Sequence, residues 1–401
     1  MLRRLYQLHR NILHIATALL IVACSSDSTL EEEKKPVPVV DDQKPMVFST
    51  SSSEGAATRA SSPLETLHDN FKVSVWKNYG NTASQQNVMD GYKVNYTASK
   101  WDYVDVVVGT HTQAQRYWDI TAFPYEFRAT SPYLASASLA TDEITLNVSS
   151  QPFKAQALIN DVYNATNAES EPCIVAHVNR QRVSDNYVDM DVIANQEINA
   201  ASKINATRSI IMPFHHLISK VGFRIFIDDP QPTVQNYVAR LNSITITAVK
   251  SGFISESKTY TATTAQGLGT GIFSANTTSD EFILLQHGLY EDLDLRQYLR
   301  QSDAFDLCPD FLQQIPQEEL KIRIQLQIKT IDGDNHEETI NYDKLLSLNK
   351  TTTTGDLFTW EPEKRYIYYL HIPNIHEHEI EYTCEIRSWD EVQTSDIPIE
   401  L

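Results

Sequence analysis

The sequence predicts an all-β protein built as two tandem β-sandwich domains with few short helices. Three observations carry that prediction. Apolar residues alternate with polar ones in segment after segment, and the alternating residues are β-branched or aromatic, as in half-buried strands. Segments with helical spacing are scarce. The chain has 401 residues, the length of two domains of ordinary size. Hydrophobic residues make up 41% and charged residues 21%, a globular composition that can bury a core without metal or disulfide staples.

The chain begins with an address. Arg3, Arg4, His9 and Arg10 make a basic start, and Ile12 to Val22 is an apolar run of secretory length, short for a bilayer span. Residues 1–23 therefore read as a signal peptide. The run closes on Leu20-Ile21-Val22-Ala23-Cys24, which resembles the lipobox of bacterial lipoproteins. That resemblance implies lipid on the Cys24 thiol; an ordinary signal peptide with a chance cysteine is the alternative. Ser25-Ser26-Asp27-Ser28 and Glu31-Glu32-Glu33 follow. They resemble the export tag of surface lipoproteins of the Bacteroidetes, and would serve equally as a solvated tether. Residues 25–45 read as a linker with Pro36, Pro38 and Pro45. Met46-Val47-Phe48 is a short apolar burst, and residues 55–62 are small, polar and open to cutting.

From Phe71 the strands begin. Phe71, Val73 and Val75 alternate, as do Tyr92, Val94 and Tyr96, then Tyr125, Phe127 and Ala129, then Ile144, Leu146 and Val148. Residues 154–169 and 188–202 suit a short helix or long loops. A second block opens near Ile210, with a long alternation from Leu217 through Val221, Phe223 and Ile225 to Ile227. Further strands are expected over 244–249, 253–261, 282–286, 322–331, 366–372 and 380–389. Residues 291–316 are the one helix candidate, with Leu293, Leu295, Tyr298 and Leu299 on one face. The domains divide as 24–59 (pro-segment and linker), 60–207 and 208–401.

Charge and motif content exclude several functions. The 33 basic and 52 acidic residues give a net charge of −19, which argues against a nucleic-acid partner. Glycine is scarce at 12 residues, and no phosphate-binding glycine loop appears. With four cysteines, disulfides do not build the fold. Cys173, Cys308 and Cys384 allow one pair at most and suit buried small hydrophobes better than catalysis. His376-Glu377-His378 is the one cluster of metal-ligand types. On a strand both imidazoles would face one side, but no third ligand is fixed by spacing, so no metal is expected. His215-His216 would point oppositely on a strand. No catalytic motif is present, and no cofactor or enzymatic activity is expected.

The chain resembles the fimbrillins, surface pilus proteins of the Bacteroidetes. The likeness rests on the order of Cys24, Met46-Val47-Phe48, Thr58-Arg59-Ala60, Trp101-Asp102-Tyr103, Arg116-Tyr117-Trp118-Asp119, Tyr125-Glu126-Phe127-Arg128-Ala129, Phe214 to Val221, Trp360-Glu361-Pro362, Tyr366 to Tyr369, and Trp389-Asp390. It implies two transthyretin-like β-sandwiches; Trp118 and Trp360 themselves read as core anchors, because Trp fills such a core with large area and a polar end that can find a partner. It implies a lipidated precursor at the outer membrane, cut between Arg59 and Ala60 by a trypsin-like protease. Loss of Met46, Val47 and Phe48 as a removable edge strand would open a groove that a strand of another fimbrillin subunit fills. The short segment after Trp389-Asp390, with Asp396 to Leu401 alternating, leaves the stalk role open beside tip, anchor or accessory roles. The competing class is a surface lipoprotein that binds glycan or host protein without polymerising.

Overall fold

The computed structural model describes residues 45–52, 69–98, 100–119, 121–140, 143–147, 153–163, 173–175, 178–183, 186–189, 204–205, 209–227, 238–263, 271–288, 290, 293–347 and 360–388. These residues form strands joined by turns, with short 3-10 turns as their only helical elements. The protein is all-β. The expected signal peptide, Cys24, Arg59, Ala60, Trp389-Asp390 and the alternating tail at 396–401 lie outside the described residues.

In the first half, pairing closes a ring. Phe48–Ser52 pairs with Ile210–His216 and Lys100–Asp102. Lys100–Asp102 pairs with Gln86–Thr97, which pairs with Asn70–Lys77, which pairs with Tyr125–Ser131. Cys173–Val175 bridges Tyr125–Ser131 back to Ile210–His216. The inward side chains share one core of Met46, Phe48, Phe71, Val73, Val75, Val94, Trp101, Tyr103, Trp118, Tyr125, Phe127, Ile210, Met212 and Phe214. The alternation read at 71–75 and 92–96 supplies two staves of this ring.

The second half is a sandwich. Ser219–Ile227 is central in a five-stranded sheet, parallel to Lys364–Ile372, which carries Glu381–Ser388 at its outer side. Facing it is a nine-stranded sheet centred on Val238–Thr263, Ile272–Gly288, Lys321–Ile331 and Glu337–Ser347. Val221, Phe223, Ile225, Tyr366, Tyr368 and Leu370 from the smaller sheet meet Ile244, Ile246, Ile322, Ile324 and Ile328 from the larger in one core. Lys321–Ile331 follows its predicted alternation, with Ile322, Ile324, Leu326, Ile328 and Thr330 all buried.

The strand Val238–Thr263 has 26 residues, about 85 Å if extended, too long for one sandwich. The predicted strands at 244–249 and 253–261 are its two parts. Register shifts fall between Val249 and Phe253, where Gly252 takes φ +69°, a conformation a side chain disfavours. The near part pairs with Lys321–Ile331 and the far part with Glu143–Asn147 and Phe153–Lys154. A third cluster forms there from Trp76, Leu139, Ile144, Leu146, Leu217, Ile218, Tyr260 and Phe273. Pairing thus crosses residue 208 in both directions.

The helix expected over 291–316 is absent. Leu295–Gln297 and Gln301–Asp303 are 3-10 turns, and Phe305–Asp306 and Leu312–Gln314 are strands on Ser219–Ile227. Asp294 caps the first turn through the Arg296 N–H, a side-chain bond that competes with helix propagation. Leu295 is buried while Leu299 is exposed, so the proposed apolar face is split. Residues 154–163 are short strands rather than helix.

Candidate functional site

Met46, Val47 and Phe48 start the stave that completes the first ring. Met46 and Phe48 are buried and Val47 is 40% exposed, the alternation of an extended chain with one face on a core. Phe48 packs edge-on against Phe71 and Tyr103, each with ring centroids 5.8 Å apart, and against Phe127 at 6.4 Å. The two sides of this strand differ. Toward Ile210–His216 there are five parallel register pairs, Phe48 to Ser52 against Ile210 to Phe214. Toward Lys100–Asp102 there is one, Phe48 with Trp101. A place on a sheet edge was expected. The strand instead has a neighbour on each side, because the ring has no edge, although one neighbour touches it at a single pair.

Beside Met46 the pairing narrows to a single antiparallel bridge, Pro45 with Tyr117, and side chains take over from the ladder. The Met46 N–H donates to the Arg116 carbonyl at 2.8 Å. The Met46 carbonyl accepts from the Tyr103 hydroxyl at 3.0 Å. That hydroxyl in turn accepts from Gln115 Nε2 at 2.8 Å and the Arg116 N–H at 3.1 Å. Burial pushes the Tyr103 phenol up to about 12. The Arg116 guanidinium donates to the Tyr92 hydroxyl at 2.8 Å, and its carbon lies 5.3 Å from that ring. On the other side, the Val47 carbonyl accepts from the Ile210 N–H at 2.7 Å.

The aromatic motifs hold this slot in shape. Trp101 and Tyr103 line it, and Trp118 is buried against Tyr125, with ring centroids 5.0 Å apart. The Tyr125 hydroxyl accepts from the Asp119 N–H at 2.8 Å. Trp360 is buried in the second core and donates from Nε1 to the Tyr368 hydroxyl at 3.0 Å. Both tryptophans are core anchors. Sequence reasoning missed Gln115 and the hydrogen-bonding task of Tyr103. The motif marked Tyr103 as an aromatic, and no spacing rule links it to residue 46.

Metal and thiol chemistry find little footing. His376 and His378 do not share a strand face: Ile375–Glu377 is a 3-10 turn and His378 is left-handed at φ 55°. The Asn374 side chain accepts from the His376 N–H, and this Asx turn breaks the extended chain before the terminal strand. His378 Nδ1 lies 3.0 Å from the Asn341 carbonyl. Among the described residues no group of three or more His, Cys, Asp or Glu could hold an ion. Cys308 is buried and Cys384 half-buried, and the two are not joined to each other. Burial pushes the Cys308 thiol far up, the opposite of a nucleophile.

The sequence profile of the fimbrillin-like family matches residues 58–389. A search among curated proteins returned no match. Among solved structures, a fimbrial protein from Bacteroides vulgatus aligns with a TM-score of 0.51 and 13% identity, over 86% of this chain and 99% of its own. A Bacteroides ovatus protein classed with cell adhesion aligns at 0.43 and 12% identity, over 88% and 99%. Another from Bacteroides uniformis aligns at 0.39 and 13%, over 86% and 99%. At these identities the first supports a shared fold and nothing finer. The profile match spans most of the chain and takes in the strands of both halves from Asn70 onward, though not the leading strand Phe48–Ser52, so the chain belongs to the fimbrillin-like family.

Proposed function

We propose that this chain is a structural, non-enzymatic subunit of a cell-surface fimbria serving adhesion. In this reading it is exported as a precursor lipidated on Cys24, held at the outer membrane, and cut after Arg59 by a trypsin-like protease. The segment carrying Met46 to Phe48 then leaves, and a strand of another fimbrillin subunit takes its place. The observation that supports this is the leading strand: it fills core positions, yet its chain neighbours toward Arg59 belong to a small, polar stretch.

Magnitudes favour exchange over simple loss. Burial of the Met46 and Phe48 side chains stabilises the ring by about 3–6 kcal/mol together. That is a large part of a domain's usual stability of about 5–15 kcal/mol. Removal leaves an apolar slot and unpaired backbone groups, and a strand from a second molecule restores both. Such a contact joins unlike surfaces and so propagates head to tail.

Limited trypsin treatment followed by size-exclusion chromatography and thermal melting tests the proposal. The expected result is a cut at Arg59 followed by a lower melting temperature or by chains. A trimmed monomer with an unchanged melting temperature and no uptake of a strand peptide would sink strand exchange. The competing reading, a surface lipoprotein that binds glycan or host protein, would then lead.

A further inference from the structure

The backbone of Met46 is gripped by one main-chain bond, where Pro45 forms an antiparallel bridge with Tyr117, and by side chains in place of the next ladder partner. Its N–H meets the Arg116 carbonyl and its C=O meets the Tyr103 hydroxyl, with Gln115 Nε2 at 3.5 Å from the same oxygen. The acceptor sits on the N–H side and the donor on the C=O side. A strand laid in the opposite direction would turn its own C=O against the Arg116 C=O. A proline at this position would offer no N–H. One residue out of register would send the two buried side chains outward.

We propose that Tyr103, Gln115 and Arg116 form a latch that sets the direction and register of whatever strand fills the slot, and that its occupant in the assembled protein is an extended segment of another subunit with an apolar–x–apolar triplet, running parallel to Ile210–His216. The inference rests on the strand-exchange reading for the identity of the occupant, but the latch is a property of the intact chain. The first residue of the triplet replaces Met46 and is not proline. The third replaces Phe48 among Phe71, Tyr103 and Phe127. Its middle residue lends a carbonyl to the Ile210 N–H, as Val47 does. A seated strand with no carbonyl at this place would leave the Tyr103 hydroxyl only its longer contact with the Arg116 carbonyl, 3.3 Å against 3.0 Å to Met46.

Two measurements separate the latch from the reading beneath it. In the intact protein, Tyr103→Phe is expected to speed hydrogen exchange of the Met46 and Ile210 amides about tenfold, with the ladder between Asn70–Lys77 and Gln86–Thr97 unchanged. Gln115→Ala, which keeps the aromatic core, is expected to move the same two amides in the same direction. Unchanged exchange in both variants overturns the latch. The second measurement offers trypsin-nicked protein three labelled peptides: residues 45–52, the same sequence reversed, and the forward peptide N-methylated at Met46. Uptake of the forward peptide about tenfold above the other two is expected. Equal uptake of forward and reversed peptides overturns the directional role. Faster exchange in the variants with no peptide taken up overturns strand exchange, and with it the proposed occupant, while leaving the latch on the leading strand standing.

Discussion

Val47 and Phe48 are neighbours in sequence and opposites in environment: one is 40% exposed, the other lies among Phe71, Tyr103 and Phe127. Phe48→Ala is expected to destabilise the intact protein by about 3–5 kcal/mol, and Val47→Thr to change it by no more than about 0.5 kcal/mol. Urea unfolding of both variants checks the contrast. The alternation behind this difference was legible in three residues, because period two needs only a local pattern. The Tyr103 hydroxyl on the Met46 carbonyl was not, because it joins residues 57 positions apart, and sequence spacing carries no information at that range. His376 and His378 misled for a related reason: Asn374 captures the following N–H and bends the chain, a local bond that overrides the extended pattern.

At the scale of elements, Tyr125–Ser131 departs most from its sequence pattern. Period two there predicted one buried face, and all seven residues are buried. Tyr125, Phe127 and Ala129 face the ring core. On the opposite face Arg128 Nε pairs with Glu126 Oε1 at 3.1 Å, both side chains fully buried, and Nη2 donates to the Tyr79 hydroxyl at 3.1 Å. The Arg128 guanidinium also lies over Trp76, 5.6 Å from its ring centre, where the third cluster begins. Polar residues at alternate positions usually mean solvent, but here they mean a second buried layer. Arg128→Met is expected to cost about 3–5 kcal/mol by breaking the buried ion pair with Glu126. Adding Glu126→Gln is expected to recover part of that loss, measured by chemical denaturation of the single and double variants. Glu337–Ser347 shows the reverse case. It pairs over eleven positions with Lys321–Ile331, yet only Ile340 and Tyr342 are buried, too thin an alternation to read in advance.

At the scale of the whole molecule, each core carries a buried phenol. Burial raises Tyr103 in the ring core and Tyr260 in the third cluster to about 12 from an ordinary 10.0, and lifts Tyr368 in the sandwich core well above it. A raised phenol pKa means that the folded state holds its proton more tightly than the unfolded chain does. The stabilisation is therefore full below pH 10 and disappears as pH climbs through about 12. The phenolate absorbance of these buried tyrosines, read as the part lost in their Phe variants, is expected to rise together with the loss of strand circular dichroism within that window. A rise of these phenolates near pH 10 with the strands intact would contradict it. The strand content and the anchoring tryptophans were legible in the sequence. The joining of the halves was not, because Val238–Thr263 reads as two strands of ordinary length until its bulges show it to be one.

Ser219–Ile227 and Lys364–Ile372 lie parallel over eight pairs, and that polarity governs how the protein bears tension. A chain drawn out by its termini pulls the first strand from its Ser219 end and the second from its Ile372 end. The two are dragged in opposite senses, so all eight pairs share the load at once. Glu381–Ser388 is loaded differently. Its last residue pairs with Lys364, at the same end of the sheet as Ser219, so the pull runs across the strands and peels them pair by pair. Under traction the outer strand lets go first and gives a short extension, while the parallel seam beneath it resists in shear.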